Sequence, residues 1–480
     1  MNTMNRGAVG LMLILFGAAA VPTDASAQTL TTLHSFPAAP GDGAGPSGRL
    51  IADAAGNLYG TTFGGGGDKS YGTIFKLTPT GAESVLHRFN GSDGAGPQAG
   101  LIADGAGNFF GTTKYGGLNY GTVFKLTLNP DGTYSHRILH SFTGYPNDGA
   151  APDGLIADAT GNLYGTTTAG GASACGDFGC GTVFRLTPNL DGTYTETVLH
   201  SFAGTSDGWY GGPDGQYPFS GVIADASGNL YGTTFYGGGS GCAGYGCGTV
   251  FRLTANPDGT YSESVLHSFT GDRDGAAPTA GLLADASGNL YGTTTAGGGA
   301  RTCVDGCGTV FKLTANPDGT YSESVLHSFA GDSDGQTPYA GLIADGVGNL
   351  YGTTYAGGLI APGCFGWCGT VFMLTPRGTL AVLHRFDSSD GANPLGGLMA
   401  DVAGNLYGTT SFGGSNNFGS VFKLTVSATF NGVPGMANCT GQSSSFLATQ
   451  FGGLAPAATA LGFASVTDLR NAVAAYCSGQ

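Results

Sequence analysis

One seven-residue stretch, Gly56-Asn57-Leu58-Tyr59-Gly60-Thr61-Thr62, recurs unchanged at 161–167, 228–234, 288–294, 348–354 and 404–410. A seventh copy at 107–113 carries Phe109-Phe110 in place of Leu-Tyr. Successive copies begin 51 to 67 residues apart. A repeat of that length is one supersecondary unit, too small to bury an apolar face alone, so the units must pack on one another. The chain is an array before it is anything else.

The unit at 281–329 shows what each copy contains. Gly281-Leu282-Leu283-Ala284-Asp285 is a short apolar run, strand a. Ala286-Ser287-Gly288-Asn289 is a turn of residues that tolerate unusual backbone angles. Leu290 to Thr294 is strand b, of aromatic and β-branched type. After a Gly-rich loop, Gly308 to Thr314 alternates as strand c. Asn316-Pro317-Asp318-Gly319 signals a hairpin, and Tyr321 to Phe329 is strand d. Four short antiparallel strands without a helical period describe a propeller blade. Strands a, b and c each occur seven times, the last c at Gly419 to Thr425. Strand d also occurs seven times, but its first copy, Thr29 to Phe36, precedes every strand a, and no LHxF strand follows Leu424. The offset predicts that the N-terminal strand completes the last blade. Closure removes the exposed edges that invite aggregation. The expected fold is all-β: a seven-bladed β-propeller of four-stranded antiparallel blades over residues 28–426, with a small α-helical tail over 427–480.

The two ends differ from the repeat. Residues 1–27 combine Arg6, an apolar run from Val9 to Ala20 and the small-x-small site Ala25-Ser26-Ala27, the pattern of a signal peptide. The run is short for a membrane span, so export is expected, with a mature chain from Gln28. In the tail, Val466, Leu469, Val473 and Tyr476 recur at helical spacing, Ser465 and Asp468 form a capping box, and Ser443 to Gly452 reads as a second helix. Cys439 and Cys477 bracket these helices and are expected to join. Eight more cysteines form four close pairs, Cys175/Cys180, Cys242/Cys247, Cys303/Cys307 and Cys364/Cys368. An even count in local pairs behind a signal peptide reads as disulfides. Each pair lies in a b–c loop, where units one, two and seven carry Tyr71, Tyr120 and Phe418 just before strand c.

The units resemble the GloVer tandem-repeat family of secreted bacterial proteins. The resemblance rests on GNLYGTT, GTVFKL and LHSF and covers about residues 29 to 425. Departures are small: Phe109-Phe110 in unit two and Ser420 for Thr in unit seven. The resemblance implies an exported or surface-associated protein with a variable C-terminal segment, and it implies no activity.

Charge limits the partners. Net charge is −15, from 17 basic and 32 acidic residues, and no basic cluster appears. Nucleic acid is excluded, because phosphate binding needs a positive face to displace counterions. In a propeller the d–a and b–c connections share one face, and here they vary while the opposite turns are uniform. Variable loops on a rigid scaffold carry binding. Trp209 and Tyr210 lie in a d–a insertion, Tyr217 follows it, and Tyr245, Phe365 and Trp367 lie in b–c loops. These aromatics are the expected ligand-binding residues, suited to stacking on sugars or gripping a protein.

The other recurrent polar residues read as structural. DGxxP turns carry Asp42, Asp93, Asp148, Asp214, Asp274, Asp334 and Asp390. Their carboxylates are expected to bond nearby backbone N–H groups. Calcium is the weaker reading: Asp272/Asp274 and Asp332/Asp334 make a DxDG fragment, but no bidentate Glu follows. No cofactor and no metal are expected. His34, His87, His140, His200, His267, His327 and His384 stand at one point of every unit, which suits a structural bond to an Asp or Thr better than catalysis. His136 is the extra one and is expected at the surface. No nucleophile elbow, Walker loop or HExxH appears, so catalytic residues are unknown. The expected function is an exported, monomeric binding or scaffold propeller, secreted, cell-surface or periplasmic, that recognises an extracellular carbohydrate or protein. The alternative is a polysaccharide- or lactone-acting lyase or hydrolase with its site on the ring axis. A passive surface-layer component is the third reading.

Overall fold

The computed structural model describes residues 28–37, 41–67, 69–172, 175, 178–204, 212–300, 302–331, 333–358, 364, 367–426 and 465–478. The 1–27 segment, the helix expected over 443–452 and Cys439, with its expected disulfide, lie outside them. Blades I to VII are numbered from the first copy of the repeat.

One aspartate organises each a–b turn. In blade V, Asp285 accepts hydrogen bonds from the backbone N–H groups of Ser287 and Asn289, from Asn289 Nδ2 and from the Tyr291 hydroxyl. Burial pushes this carboxyl up, but the bonds to Asn289, Ser287 and Tyr291 outweigh it, and its pKa is lowered. The Tyr-to-Asp bond recurs at Asp53, Asp158, Asp225, Asp345 and Asp401. Phe110 removes it at Asp104, which keeps only its bonds to Ala106 and Asn108.

The turns link strands into seven antiparallel sheets. Blade V runs Leu283–Ala284, Leu290–Thr294, Thr309–Ala315 and Tyr321–Ser328, as strands a to d in that order across the sheet. Strand a is shorter than the apolar run 281–285 predicts, because only Leu283 and Ala284 pair with strand b. The cause lies just upstream. Ala277 adopts left-handed backbone, φ 56°, and sends its N–H across the seam to Cys247 O of blade IV at 2.8 Å. The same bond joins Gly45 to Phe418, Gly96 to Tyr71, Ala151 to Tyr120, Tyr217 to Cys180, Thr337 to Cys307 and Asn393 to Cys368. The residue before strand c is therefore the acceptor that holds the next blade. The Pro of DGxxP completes this seam: a Cβ on Gly308, whose φ is +92°, would lie 2.8 Å from Pro338 Cδ and 2.3 Å from Thr294 O.

Strand d carries a β-bulge that the alternation does not reveal. Val310 and Phe311 of strand c face His327 and Val325, which leaves Leu326 as an extra residue. The extra residue moves His327 to the sheet face opposite Val325. Every strand d has this bulge.

The core runs around the ring through the seams. Phe329 of strand d meets Phe372 of the next blade's strand c edge-on, with ring centroids 5.2 Å apart. Six equivalent pairs complete the circle, including Phe36 with Phe75 at 5.3 Å. Gly292 of GNLYGTT makes room for this core: a Cβ there would stand 2.5 Å from Phe311 Cζ. The N-terminal strand Gln28–Ser35 pairs antiparallel with Ser420–Val426, from Gln28↔Val426 to Ser35↔Ser420. The ring is closed as the offset predicts, a seven-bladed propeller. Helix Val466–Ser478 follows, with Ser465 Oγ accepting from Asp468 N–H at 3.2 Å. Its Leu469 and Val473 are buried.

Candidate functional site

Exposed aromatic side chains mark one face. Phe63, Tyr115, Tyr120, Tyr145, Phe178, Tyr245, Tyr339, Phe412 and Phe418 are all at least a third exposed, and all stand where b runs to c or d runs to a. Among the described residues, the large apolar side chains exposed at the other end are aliphatic: Leu128, Leu190, Val347 and Val402. Four disulfides, Cys175–Cys180, Cys242–Cys247, Cys303–Cys307 and Cys364–Cys368, close b–c loops on the aromatic face. Closing so few residues contributes about 2 kcal/mol each by chain entropy, enough to order a loop.

Blade IV gathers the aromatics. Tyr217 lies 6.3 Å from Tyr236, and Tyr236 lies 5.6 Å from Tyr245 and 4.5 Å from Phe235, which packs edge-on against Phe219 at 5.1 Å. Two expected site residues, Tyr217 and Tyr245, thus belong to one cluster joined by Tyr236. Tyr217 has a second duty, since its backbone is left-handed at φ 56° and its N–H makes the seam bond to Cys180. Burial, then Tyr236, pushes its phenol pKa up. Phe235 and Tyr236 are not among the aromatics expected from the sequence, although only blade IV has two aromatics directly after Gly-Thr-Thr. Trp209, Tyr210 and Phe365 lie outside the described residues. Trp367 is partly buried in blade VI, its carbonyl accepting from Asn393 Nδ2 at 3.3 Å, and no ring contact ties it to the blade IV cluster.

Beside the cluster opens a groove of about 860 Å3 between blades IV and V. Phe235, Tyr236 and Tyr245 form one wall, and Val304 and Asp305 the other. Ala276, Ala277 and Ala296 contribute methyl groups and Gly297 bare backbone, with Asp272, Thr270 and Thr295 as polar groups. Two stapled loops, at Cys242–Cys247 and Cys303–Cys307, flank it.

The rim carries a second recurrent device. His327 Nε2 meets Asp334 Oδ2 at 3.0 Å, and Asp334 also accepts the Ala330 N–H at 2.9 Å. The LHxF histidine and the DGxxP aspartate are thus partners, at separations of 2.7 to 3.5 Å at six seams. Asp274 accepts from Thr270 N–H and Thr270 Oγ1 and lies 3.4 Å from His267 Nε2.

The next blade's strand d faces three of these pairs with Glu196, Glu263 or Glu323, and Glu83 faces His34 and Asp42, which are not paired; each glutamate has a buried oxygen without a partner. Burial is the main cause that pushes all four carboxyls up to about 7. At the register position of these glutamates stand His136 in blade II, Leu380 in blade VI and Leu30 in the closing strand. His136 is not at the surface as expected. Its ring stacks on His87 of blade I at 4.3 Å and 6°, and its Nε2 is buried without a partner. Burial, then His87, pushes its pKa down to about 4.

A raised carboxyl pKa means that the folded state holds a proton which the unfolded state releases, so stability falls as pH climbs from about 4.5 to about 7. Glu323→Gln should remove that share of the loss. The variant should gain on the parent in melting temperature at pH 8 relative to pH 5, as thermal melts at both pH values would show. An equal difference at the two pH values would contradict the assignment.

At the axis, glycines let neighbouring blades approach closely. A Cβ on Gly221 would lie 2.5 Å from Gly154 O, and one on Gly341 would lie 3.2 Å from Gly281 O. Blade I has Arg49 here, beside Gly100 and Gly397. Arg49 is solvent-exposed, yet the protein crowded around it lowers its pKa. Asp153 neighbours Gly154; burial pushes its carboxyl up to about 7 against the pull of Lys114.

Solved structures resemble the chain at low identity. A gluconolactonase from Xanthomonas campestris is 13% identical over 88% of this chain and 97% of its own, with a TM-score of 0.40. A luciferin-regenerating enzyme is 15% identical over 68% of this chain and 90% of its own, with a TM-score of 0.40. A puromycin-hydrolyzing peptidase of Mycobacterium tuberculosis is 11% identical over 85% of this chain and 54% of its own, with a TM-score of 0.47. No curated protein matches the sequence. The model of the Gloeobacter/Verrucomicrobia repeat matches residues 20–244 and 240–467, and the chain therefore belongs to the Gloeobacter/Verrucomicrobia repeat family.

Proposed function

We propose that this chain is an exported propeller that binds a neutral extracellular glycan in the groove between blades IV and V. The observation that carries the reading is the wall of Phe235, Tyr236 and Tyr245 along a groove flanked by two disulfide-closed loops. Flat aromatic rings match the apolar faces of pyranose sugars, and the carboxylates of Asp272 and Asp305 can accept from sugar hydroxyls. The net charge of −15 disfavours an anionic polymer. Export fits the four disulfides, which persist in oxidising compartments. No described helix is long and apolar enough to cross a membrane.

Glycan-array binding followed by calorimetry tests this reading. Tyr236→Ala and Tyr245→Ala should each weaken the best glycan about tenfold, from a stacking loss of about 1 kcal/mol plus buried area. Tyr115→Ala, on the same face in blade II, should not. Unchanged affinity in the Tyr236→Ala, Tyr245→Ala double variant, or no glycan bound, would overturn the assignment. A second reading, an axial hydrolase or lyase, is favoured by Asp153, a carboxyl pushed up to about 7 and so suited to proton transfer. Turnover of a polysaccharide or lactone that Asp153→Asn abolishes and Tyr236→Ala spares would select it.

A further inference from the structure

We infer that the seam between blades I and II is a binding site for a divalent late transition metal such as Zn2+, held by His87, Asp93 and His136. His87 comes from strand d of blade I, His136 from strand d of blade II, and Asp93 from the connection between them. One ligand atom from each lies within 4.8 Å of the others. Zinc with bonds of about 2.0–2.1 Å holds its tetrahedral ligands about 3.3 Å apart. His87 Nε2 and Asp93 Oδ2, at 3.1 Å, already have that spacing. The His136 Nε2 atom is buried and unpartnered, which costs free energy unless something binds it. Coordination would require the His136 ring to turn out of its stack on His87, 4.3 Å away and 6° from parallel, so that its lone pair meets the same point. His87 would then carry its proton on Nδ1, so that Nε2 offers a lone pair to the metal.

The site departs from the repeat in one residue. The other seams place Glu or Leu where His136 stands, so two imidazoles meet only here. Two imidazoles and a carboxylate suit zinc, copper or nickel, while calcium and magnesium take oxygen ligands. Three protein ligands leave a fourth position for water. Asp93 is oriented for the task by its outer partners: Asn90 donates to it from its backbone N–H at 2.9 Å and from Nδ2 at 3.1 Å. A metal here would tie the outer strands of two blades together.

The test uses the untagged full mature chain, stripped with a chelator and titrated with Zn2+ by calorimetry and with Co2+ by visible absorption. Wild type should bind at micromolar metal or tighter, show cobalt ligand-field bands and melt at a higher temperature with zinc. His136→Leu places there the residue that blades VI and VII carry, so it should fold. It should weaken binding more than about tenfold, since even loss of an outer-shell partner costs about that much. Glu83→Leu alters the neighbouring cluster of His34, Asp42 and Glu83, and should leave the affinity intact. Absence of binding in wild type, unchanged affinity in a folded His136→Leu protein, or loss only in Glu83→Leu would each overturn the proposal.

Discussion

A chain that starts at Pro37 should fail to reach a cooperative native state. Removing residues 28–36 strips the last blade of strand d and leaves Ser420–Val426 as an unpaired edge, with Val421, Phe422 and Leu424 in its sequence. It also removes Phe36, a fully buried ring packed on Phe75 of blade I, so blades VII and I lose their shared core. Losing one such ring costs about 3–5 kcal/mol, and the ladder is lost in addition. Native stability is about 5–15 kcal/mol, so the deficit is comparable to the whole. An exposed apolar edge then favours association between chains. Size-exclusion chromatography and thermal melts should show aggregates without a sharp transition. A soluble monomer that melts like the full chain would contradict this.

Phe311→Ala should lower stability by about 3–5 kcal/mol, through lost burial and the cavity left behind. Phe311 is fully buried, lies 5.1 Å from Phe269 across the seam and fills the space that Gly292 leaves open. The converse change, Gly292→Ala, drives a methyl into the ring and should cost about 1–3 kcal/mol by overpacking. The two measurements, by chemical denaturation, probe one contact from both sides. A loss below about 1 kcal/mol for Phe311→Ala would mean that the ring is not the centre of the seam.

Ring closure was legible because it depends on counting and order. Thr29 to Phe36 is an LHxF strand without a preceding unit, and Gly419 to Thr425 is a unit without one after it. Side-chain period was legible wherever the chain obeys it. The bulge at Leu326 was not, because one inserted residue leaves the apolar pattern of Val325-Leu326-His327 looking regular. The break in strand a was hidden too, since Ala277 takes a left-handed backbone that glycine would have announced.

The candidate site was legible in pieces. Tyr217 and Tyr245 stood out as loop aromatics, but the residue that joins them, Tyr236, looks in sequence like the end of a repeat strand. His136 could be found only by aligning the strands d and asking which residue departs from Glu or Leu. Its burial follows from a neighbouring blade, and one unit read alone contains no trace of that neighbour.

Hydrogen exchange on the folded chain tests the closed ring most directly. Amides of 29–35 pair with 420–426. They should exchange as slowly as those of Tyr321–Ser328, the same strand in blade V, and should open together with their partners. Residues 29–35 exchanging at the rate of an unstructured peptide, while the other six outer strands stay protected, would contradict the account.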